Sequence, residues 1–464
     1  MADVSGSDKQ RAAAAKARRK EVPRSSHGKW SPGSDRPDPV SLITGQDEGR
    51  LQPLVPIRHS RMLESSFAFY RGAARIMASD LSTTPATGFD AQICGDAHLA
   101  NFGVYGSPER DLVFDVNDFD ETLPGPWEWD LKRMAASFVI AARYNDFGAS
   151  DSRDSARAAV QAYRETMTKF AGMSALDVWY SQATQDEIKD LRAEEISEKD
   201  HKKAEKFAKK ARGRNSAKEL KKIGYREDGK YRIKSEPPLL VPLRDLPQSD
   251  VPDKTSEILK QSLADYQSTI DDRMMVLLSR YELADIAVKV VGVGSVGTRC
   301  LIALFIGKDA GDPLFLQLKE ANNSVLEEFL PASAYTTHGE RVVRGQRLMQ
   351  SSSDSFLGWT VGSQGHHYYW RQLKDMKGSA DTEDYGKKRL ANYGRLCGWT
   401  LARSHARSGD PVSIAAYMGS SGTFDAAVAD FSVAYADQNE SDYSAFKAAA
   451  DAGKISVQQE GASG

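Results

Sequence analysis

The chain has 464 residues, of which 40% are hydrophobic and 27% charged, so it can bury a sizeable core and does not belong to the disordered class. Lys and Arg number 62 against 64 Asp and Glu, and this net charge of −2 argues against a generally cationic nucleic-acid or membrane-surface protein. Cys94, Cys300 and Cys397 are too few and too far apart for a disulfide framework or a zinc motif. The sequence shows neither a long apolar run nor a signal-peptide core, so we expect a cytoplasmic protein with no membrane partner.

The order of helical and strand-like patterns predicts an α+β fold with two lobes, the helical lobe first and the β-rich lobe later. We expect a disordered basic arm rich in Pro, Gly and Ser at 1–50, a helical lobe at 51–284 with a charged helical segment at 187–235, a small β-rich lobe at 285–376, a helical return at 377–445 and a flexible tail at 446–464.

The most basic stretch lies inside the charged segment. Between His201 and Ser235 there are 14 Lys and Arg against 4 Asp and Glu, which could form an anion-binding face for nucleic acid or an acidic protein. Aromatic residues for base stacking are sparse there. A solvated helix pair is therefore the expected structure, and a nucleic-acid partner is not expected.

Two short acidic runs carry the sharpest chemical signal. GDAHLAN at 95–101 has the pattern G-D-x-H-x-x-N, and NDFD at 117–120 follows a strand-like segment. Phosphoryl transfer needs one carboxylate to accept the proton of the incoming hydroxyl, and an amide oxygen with a second carboxylate to hold Mg²⁺ on the nucleotide phosphates. Hard oxygen ligands suit Mg²⁺ better than a transition metal.

Other interpretations of these acids stay open. They could cap helices and turns, and two acids with His98 would also suit a metal hydrolase. A single histidine is more often a hydrogen-bonding residue than a base, so we expect His98 to support the catalytic acid.

A glycine-rich run, GVGSVG at 292–297, lies between strand-like segments, so its glycines Gly292, Gly294 and Gly297 favour a phosphate-covering hairpin over a dinucleotide-binding turn, which should open a helix. The next strand, LFLQLKE, contains Lys319. It resembles the V-A-I-K strand of kinases, whose lysine holds the α- and β-phosphates of ATP.

A carboxylate should pair with this lysine. We expect Glu340, in the helix HGERVVRGQRLMQ, with Glu327 and Glu328 as competitors. The segment Arg371–Met376 would then be the hinge against which adenine packs.

The acidic runs resemble the catalytic and metal-binding loops of the aminoglycoside- and choline-kinase-like branch of the protein-kinase-like superfamily, which read H-G-D-x-H-x-x-N and then I-D-F/W. This resemblance implies Asp96 as the catalytic base and Asn101 and Asp118 as the metal ligands. Cys94 replaces the usual leading histidine. Asp130 resembles the structural aspartate that supports the catalytic loop in that branch.

The glycine run follows the first acidic run by about 190 residues, the reverse of the usual kinase order. A circular permutation would reconcile the two, and the segment YGRLCGWTLARSHARSGD resembles the L-A-x-L-H-A helix that precedes the catalytic loop in small-molecule kinases. The expected fold is therefore a two-lobed protein-kinase-like fold with circularly permuted connectivity.

The chain is also similar to a bacterial domain-of-unknown-function family, number 2252, over roughly Arg58 to Tyr443. The similarity is carried by RMLESSFAFYRGAA, GDAHLANFG, FDVNDFDETLPGPWEWDLKRMAASF, PPLLVPL, VGVGSVGTRC, HGERVVRGQRLMQ, YYWRQLKDMKGS, LARSHARSGD and YADQNESDY. That family name implies no activity.

Together these patterns predict an ATP- and Mg²⁺-dependent phosphotransferase acting on an unknown small-molecule hydroxyl. The alternatives are a nucleotide-binding pseudokinase without transfer activity, and transfer of AMP on the same site. Arg61, Arg71 and Arg133 could recognise anions near the cleft, but we expect them to be structural ion-pair partners.

Overall fold

The structure, a computed structural model, describes residues 5–183, 198–246, 255–290, 292–309 and 311–458. The architecture is α+β, as the sequence predicts, and every strand pair in these ranges is antiparallel. No helix in the described ranges has the length and apolar character needed to cross a bilayer.

The helices are α1 Asp8–Arg18, α2 Pro39–Asp47, α3 Val55–Leu63, α4 Ser66–Gly72, α5 Ala74–Ser82, α6 Trp127–Tyr144, α7 Ala149–Ala171, α8 Ala175–Tyr180, α9 Glu198–Arg212, α10 Ser216–Ile223, α11 Thr255–Gln267, α12 Asp272–Leu278, α13 His338–Met349, α14 Lys387–Ser408, α15 Pro411–Met418 and α16 Thr423–Asp451. The strands are β1 Asp90–Ile93, β2 Phe102–Gly106, β3 Leu112–Val116, β4 Leu123–Pro126, β5 Gly224–Glu227, β6 Lys230–Ile233, β7 Leu240–Pro242, β8 Glu282–Lys289, β9 Cys300–Ile306, β10 Pro313–Glu320, β11 Gly358–Val361, β12 His367–Gln372 and β13 Gly378–Ser379.

The first 50 residues, predicted as a disordered arm, contain helices from residue 8 onward, and residues 1–4 lie outside the described ranges. Ser7 and Gln10 form a capping box at the start of α1, and the alanine-rich interior of this helix has a high helix propensity. α1 packs against α15, and Ala15 is fully buried. The segment therefore folds on a surface supplied by distant residues, which its own composition does not reveal.

α6 is the central helix of the helical part of the molecule. Residues 127–142 of this helix are all buried, because α4, α7, α14 and α16 pack around it. Buried polar groups usually find hydrogen-bond partners, and the side chains of Asp130, Arg133 and Ser137 in α6 bond to the loop that follows β1. The helix that organises the core therefore also positions the first acidic run.

Short strands carry the two acidic runs. β1 pairs with β4, and β2 pairs with β3 and β13, so the loops after β1 and after β3 emerge side by side. The N–H of Asn117 donates to the carbonyl oxygen of Asn101 at 2.8 Å and joins the two loops directly.

A six-stranded antiparallel sheet, in the order β11-β12-β10-β9-β8-β7, forms the second part of the molecule. Alternation along β10 sends Leu316 and Leu318 to one face, where they pack with Tyr266 of α11, and Phe315 to the other, where it packs with Leu220 of α10. β8 and β9 form the predicted hairpin around the glycine run, and β10 contains Lys319.

The charged segment predicted at 187–235 contributes to this sheet region, although residues 187–197 lie outside the described ranges. The remainder forms α9, α10 and the β5–β6 hairpin, and Ile223 is buried against the sheet. β7, at residues 240–242, pairs with β8. The sheet region thus draws on residues before the predicted boundary at 285.

The C-terminal segment predicted as a flexible tail, 446–464, begins inside α16. Phe446 and Ile455 are buried in a cluster with Phe69 and Met62. Residues 459–464 lie outside the described ranges.

Candidate functional site: a cleft between two acidic loops and a glycine loop

The first acidic loop, residues 94–101, is held from below by the carboxylate of Asp130 in α6. This carboxylate accepts hydrogen bonds from the N–H groups of Cys94 at 2.8 Å and Gly95 at 2.9 Å, and its side chain lies 3.3 Å from Nε2 of His405. Gly95 has φ +81°, and a Cβ there would lie 2.5 Å from the carbonyl oxygen of Glu121. Only glycine therefore permits the close approach of the two acidic loops.

Asp96 points from this loop into the cleft with about a fifth of its side chain exposed (19%). Nε of Arg133 donates to its Oδ1 at 2.8 Å. Burial raises the pKa of Asp96, and the nearby Arg133 charge opposes that rise. A carboxyl group with a raised pKa that remains accessible suits a general base.

His98 is 3% exposed, and its Nε2 lies 3.7 Å from Oδ2 of Asp96. Burial, together with the charge of Arg133, holds the pKa of His98 well below its ordinary value, so the imidazole is neutral. Its place beside Asp96 fits the supporting role predicted for it.

Asn101 and Asp118 both line the cleft. The side-chain amide of Asn101 donates to the carbonyl oxygen of Asp96 at 2.8 Å, which leaves its own carbonyl oxygen available to a cation. Asp118 lies in the second acidic loop, residues 117–122, and its side chain is 35% exposed. Among the described residues, no group of three or more His, Cys, Asp or Glu side chains is placed to hold a metal. One amide oxygen and one carboxylate suit Mg²⁺, which keeps several waters and takes further oxygens from phosphates.

Lys319, in β10, directly precedes the cleft residue Glu320 and contacts the second acidic loop. Its Nζ lies 2.5 Å from Oδ2 of Asp120 and 3.7 Å from Oδ1 of Asp118, and the residue is only 2% exposed. Burial alone would lower the pKa of Lys319, but the two carboxylates outweigh it and hold that pKa above its ordinary value. Asp120 also accepts a hydrogen bond from the hydroxyl of Tyr369 at 2.6 Å.

The structure does not bring Glu340 to this lysine. Glu340 lies 3.4 Å from Nε of Arg344, one turn along α13, while Glu327 accepts from the N–H of Ser333 and Glu328 pairs with Arg75. All three predicted carboxylates are therefore engaged elsewhere, and the acids on Lys319 come from the second acidic loop.

α13 reaches the site through Arg341, the residue after the predicted glutamate. Its guanidinium donates to the carbonyl oxygens of Thr122 at 2.7 Å and of Asp120 and Asn322 at 2.8 Å. Arg341 is 1% exposed and fixes the backbone of the second acidic loop. This role was not predicted, because the expected site residue of this helix was an acid.

The glycine loop, residues 292–297, is held through its carbonyl oxygens. Arg61 donates to Gly292 at 2.5 Å, Arg50 donates to Gly294 at 2.8 Å, and the N–H of Leu51 donates to Gly297 at 2.7 Å. These donors come from the segment between α2 and the end of α3, far away in sequence.

Unlike the carbonyl oxygens of the glycine loop, several of its N–H groups have no hydrogen-bond partner within the described residues. Those of Gly294, Ser295 and Gly297 donate to no described residue, while that of Val296 bonds within the loop. The Ser295 hydroxyl lies 3.5 Å from Oδ2 of Asp120. The loop thus covers the second acidic loop and leaves backbone donors for an anion.

The resulting cleft has a volume of about 600 Å³. Its wall draws on residues within 45–75, 96–101, 118–121, 292–298 and 320–328. The predicted hinge, Arg371–Met376, supplies none of these wall residues; Nε of Arg371 instead donates to Gln317 at 3.0 Å.

Glu121 lies in this wall and, like Arg341, was not predicted from the sequence. Its Oε2 accepts from the N–H of Val325 at 2.7 Å, and burial raises the pKa of Glu121 to about 7, against the opposing charge of Arg341. Its position directly after NDFD was visible in the sequence, but its burial was not.

Comparison with curated proteins and with solved structures gives no match. The sequence model of a family described as "Uncharacterized protein conserved in bacteria (DUF2252)" matches residues 50–449. That span contains both acidic loops, the glycine loop and Lys319, and it covers most of the chain. The protein is therefore a member of this bacterial family.

Proposed function

We propose that the protein is an ATP- and Mg²⁺-dependent phosphotransferase that acts on the hydroxyl group of a small molecule. The observation that carries this proposal is the contact of Lys319 with Asp120 and Asp118. These groups are about 200 residues apart in sequence, and Asp118 and Asp120 line a cleft that Asp96, Asn101 and the glycine loop also line. Phosphoryl transfer needs this combination of a base, hard oxygen ligands and phosphate-binding cations.

The roles follow from position. Asp96 accepts the proton of the acceptor hydroxyl as its oxygen bonds to the γ-phosphorus, and the bond from that phosphorus to the bridging oxygen breaks to release ADP. Asn101 and Asp118 would hold Mg²⁺, which supplies charge neutralisation on the phosphates. Lys319 would bind the inner phosphates, and the N–H groups of the glycine loop that are unbonded within the described residues would donate to the phosphate chain.

The proposed connectivity is that of a circularly permuted kinase-like fold. α14, with His405 beside Asp130, reaches the base of the first acidic loop from the C-terminal part of the chain. The β8–β9 hairpin and β10, which form the glycine side of the cleft, follow the acidic loops in sequence. The chain can be followed from β8 to the C-terminus and then on from the N-terminus. In that direction the glycine loop, Lys319, α14 and the two acidic loops follow one another in the order of their kinase counterparts.

The first test is a thermal-shift titration with ATP, with and without Mg²⁺, for the wild type and Lys319→Ala. A ligand at about 100 times its dissociation constant stabilises a protein by about 2.7 kcal/mol, which gives a readily measured shift. We expect a Mg²⁺-dependent shift in the wild type that is lost in the variant. The absence of a shift in the wild type would overturn the proposal.

A second test is ATP consumption over a panel of hydroxyl-bearing metabolites, with the products identified. Release of ADP with a phosphorylated acceptor supports the proposal, whereas release of pyrophosphate would show AMP transfer instead. Binding of ATP without consumption across the panel would favour a nucleotide-binding protein without transfer activity.

A further inference from the structure

The three arginines near the cleft, Arg61, Arg71 and Arg133, differ in what their side chains contact. Arg133 forms an ion pair with Asp96, as expected, whereas Arg61 donates to the backbone carbonyl oxygen of Gly292 and forms no ion pair within the described residues. The guanidinium of Arg71 makes no hydrogen bond or ion pair within the described ranges, and its Nε is buried without a partner. Arg71 therefore departs from the expected structural role.

Arg71 lies at the end of α4 and lines the cleft together with Asp96 and Asp118. Its own carbonyl oxygen would lie 3.5 Å from a Cβ placed on Gly294. The residue is therefore next to the middle of the glycine loop, where the backbone N–H groups of Gly294 and Ser295 also have no hydrogen-bond partner among the described residues.

The charge of Arg71 is incompletely compensated at this position. Burial lowers the pKa of Arg71, and the nearby carboxylates of Asp96 and Glu64 offset only part of that effect. A desolvated guanidinium without a bonded partner is costly, and its planar set of N–H donors matches the oxygens of a phosphate group. The acids around it do not supply that match, because none is bonded to it.

We propose that Arg71, together with the free N–H groups of the glycine loop, binds a terminal phosphate group in the cleft. Resting on the proposed function, this inference assigns Arg71 to the γ-phosphate of ATP, while Lys319 binds the inner phosphates. Arg71 is then the residue that distinguishes a nucleoside triphosphate from a diphosphate.

The test measures dissociation constants for ATP, ADP and adenosine, each with Mg²⁺, for the wild type, Arg71→Gln and Arg71→Lys. Arg75→Gln is the matched control, because Arg75 also borders the cleft but its guanidinium is paired with Glu328 at 2.8 Å. We expect Arg71→Gln to weaken ATP binding by about tenfold or more, to change ADP and adenosine binding by less than about twofold, and Arg71→Lys to recover part of the loss. The control should keep the wild-type ratio of ATP to ADP affinity.

The outcomes separate this inference from the proposed function. If the wild type binds ATP and Arg71→Gln keeps the wild-type ratio of ATP to ADP affinity, the inference is overturned while the proposed function stands. A titration with tripolyphosphate and inorganic phosphate provides a second arm. Binding of tripolyphosphate that is weakened in Arg71→Gln, together with the selective loss of ATP affinity, supports the inference. Binding of inorganic phosphate that depends on Arg71, with an unchanged ratio of ATP to ADP affinity, overturns the assignment to the γ-phosphate. No binding of any of these ligands overturns both the inference and the proposed function. Melting curves without ligand show that each variant is folded.

Discussion

The first acidic loop and the glycine loop face the same cleft, but they are held in opposite ways. In the first acidic loop the backbone N–H groups are engaged: those of Cys94 and Gly95 bond to Asp130, and that of Leu99 bonds to Ser137. In the glycine loop the carbonyl oxygens are engaged by Arg50, Arg61 and Leu51, and three N–H groups remain unbonded within the described residues.

This difference separates two tasks. A loop whose N–H groups are bonded to a buried helix is a rigid base that presents side chains, such as that of Asp96, in a fixed direction. A loop held by its carbonyl oxygens presents its own backbone donors and suits an anion. Changes in the first loop should therefore affect folding or chemistry, and changes in the second should affect ligand binding.

The largest expected effect is that of Asp96→Asn, which removes the proton acceptor and keeps the side-chain shape. We expect ATP consumption with the acceptor to fall roughly 10²–10⁴-fold while the nucleotide-dependent thermal shift remains. Because burial raises the pKa of Asp96 and the base must be ionised, the wild-type rate should fall as pH decreases through that raised pKa. Glu109→Gln, at an exposed acid of the same region, is the control. Unchanged turnover in Asp96→Asn would rule out this role.

Asp130→Ala should give the next largest effect, because it leaves the N–H groups of Cys94 and Gly95 without their charged acceptor. We expect a loss in the free energy of unfolding on the order of 3 kcal/mol, measured by chemical denaturation. Arg61→Ala removes one exposed hydrogen bond to the glycine loop and should change stability by less than about 0.5 kcal/mol while weakening ATP binding. Equal stability losses in the two variants would contradict the comparison.

Substitutions of two glycines in the glycine loop test its backbone conformation and its role in ATP binding. Gly297 has φ +89°, and a Cβ there would lie 2.9 Å from Cβ of Arg50, so Gly297→Ala should destabilise the protein by about 1–2 kcal/mol. At Gly294 the nearest atom to an added Cβ is 3.5 Å away, so Gly294→Ala should fold normally and only weaken ATP binding, where the methyl group obstructs the phosphate. Thermal melting with and without ATP measures both effects, and the reverse order of stabilities would show that the backbone of the loop differs from this description.

The smallest effect concerns the pH dependence of stability. The pKa of Glu121 is about 7 in the folded protein against an ordinary value of 4.5, so its contribution to stability is fully present below pH 4.5 and is lost as pH rises through 7. Glu121→Gln keeps an acceptor for the N–H of Val325 but cannot ionise. Relative to the wild type, the variant should gain on the order of 1 kcal/mol between pH 5 and pH 8 in chemical denaturation. A constant difference across this range would contradict the raised pKa.

Sequence patterns predicted the local parts of the molecule well. The acidic runs, the glycine run and Lys319 are recognisable because their chemistry depends on residue types at short spacings, and the strands and helices around them follow apolar periodicity. The contact of Lys319 with the loop of Asp118 was not predicted, because Glu340 was the expected partner of this lysine.

Sequence patterns could not predict the features that depend on contacts between residues far apart in sequence. In α13 the choice between Glu340 and Arg341 depends on the direction in which each side chain leaves the helix, and only Arg341 points to the second acidic loop. The order of residues 8–18 comes from packing on α15, almost 400 residues later. No sequence pattern could show that the guanidinium of Arg71 lacks a partner among the described residues, because this depends on which side chains the fold places around it.

The ion pair between Lys319 and Asp120 also has a consequence for biosynthesis. Its two residues are 199 positions apart, so a ribosome completes both acidic loops long before β10 emerges. Until then Asp118 and Asp120 have no lysine partner, and the cleft has neither its glycine loop nor Arg341. A nascent chain therefore lacks the complete cleft, which can form only after most of the chain has been translated.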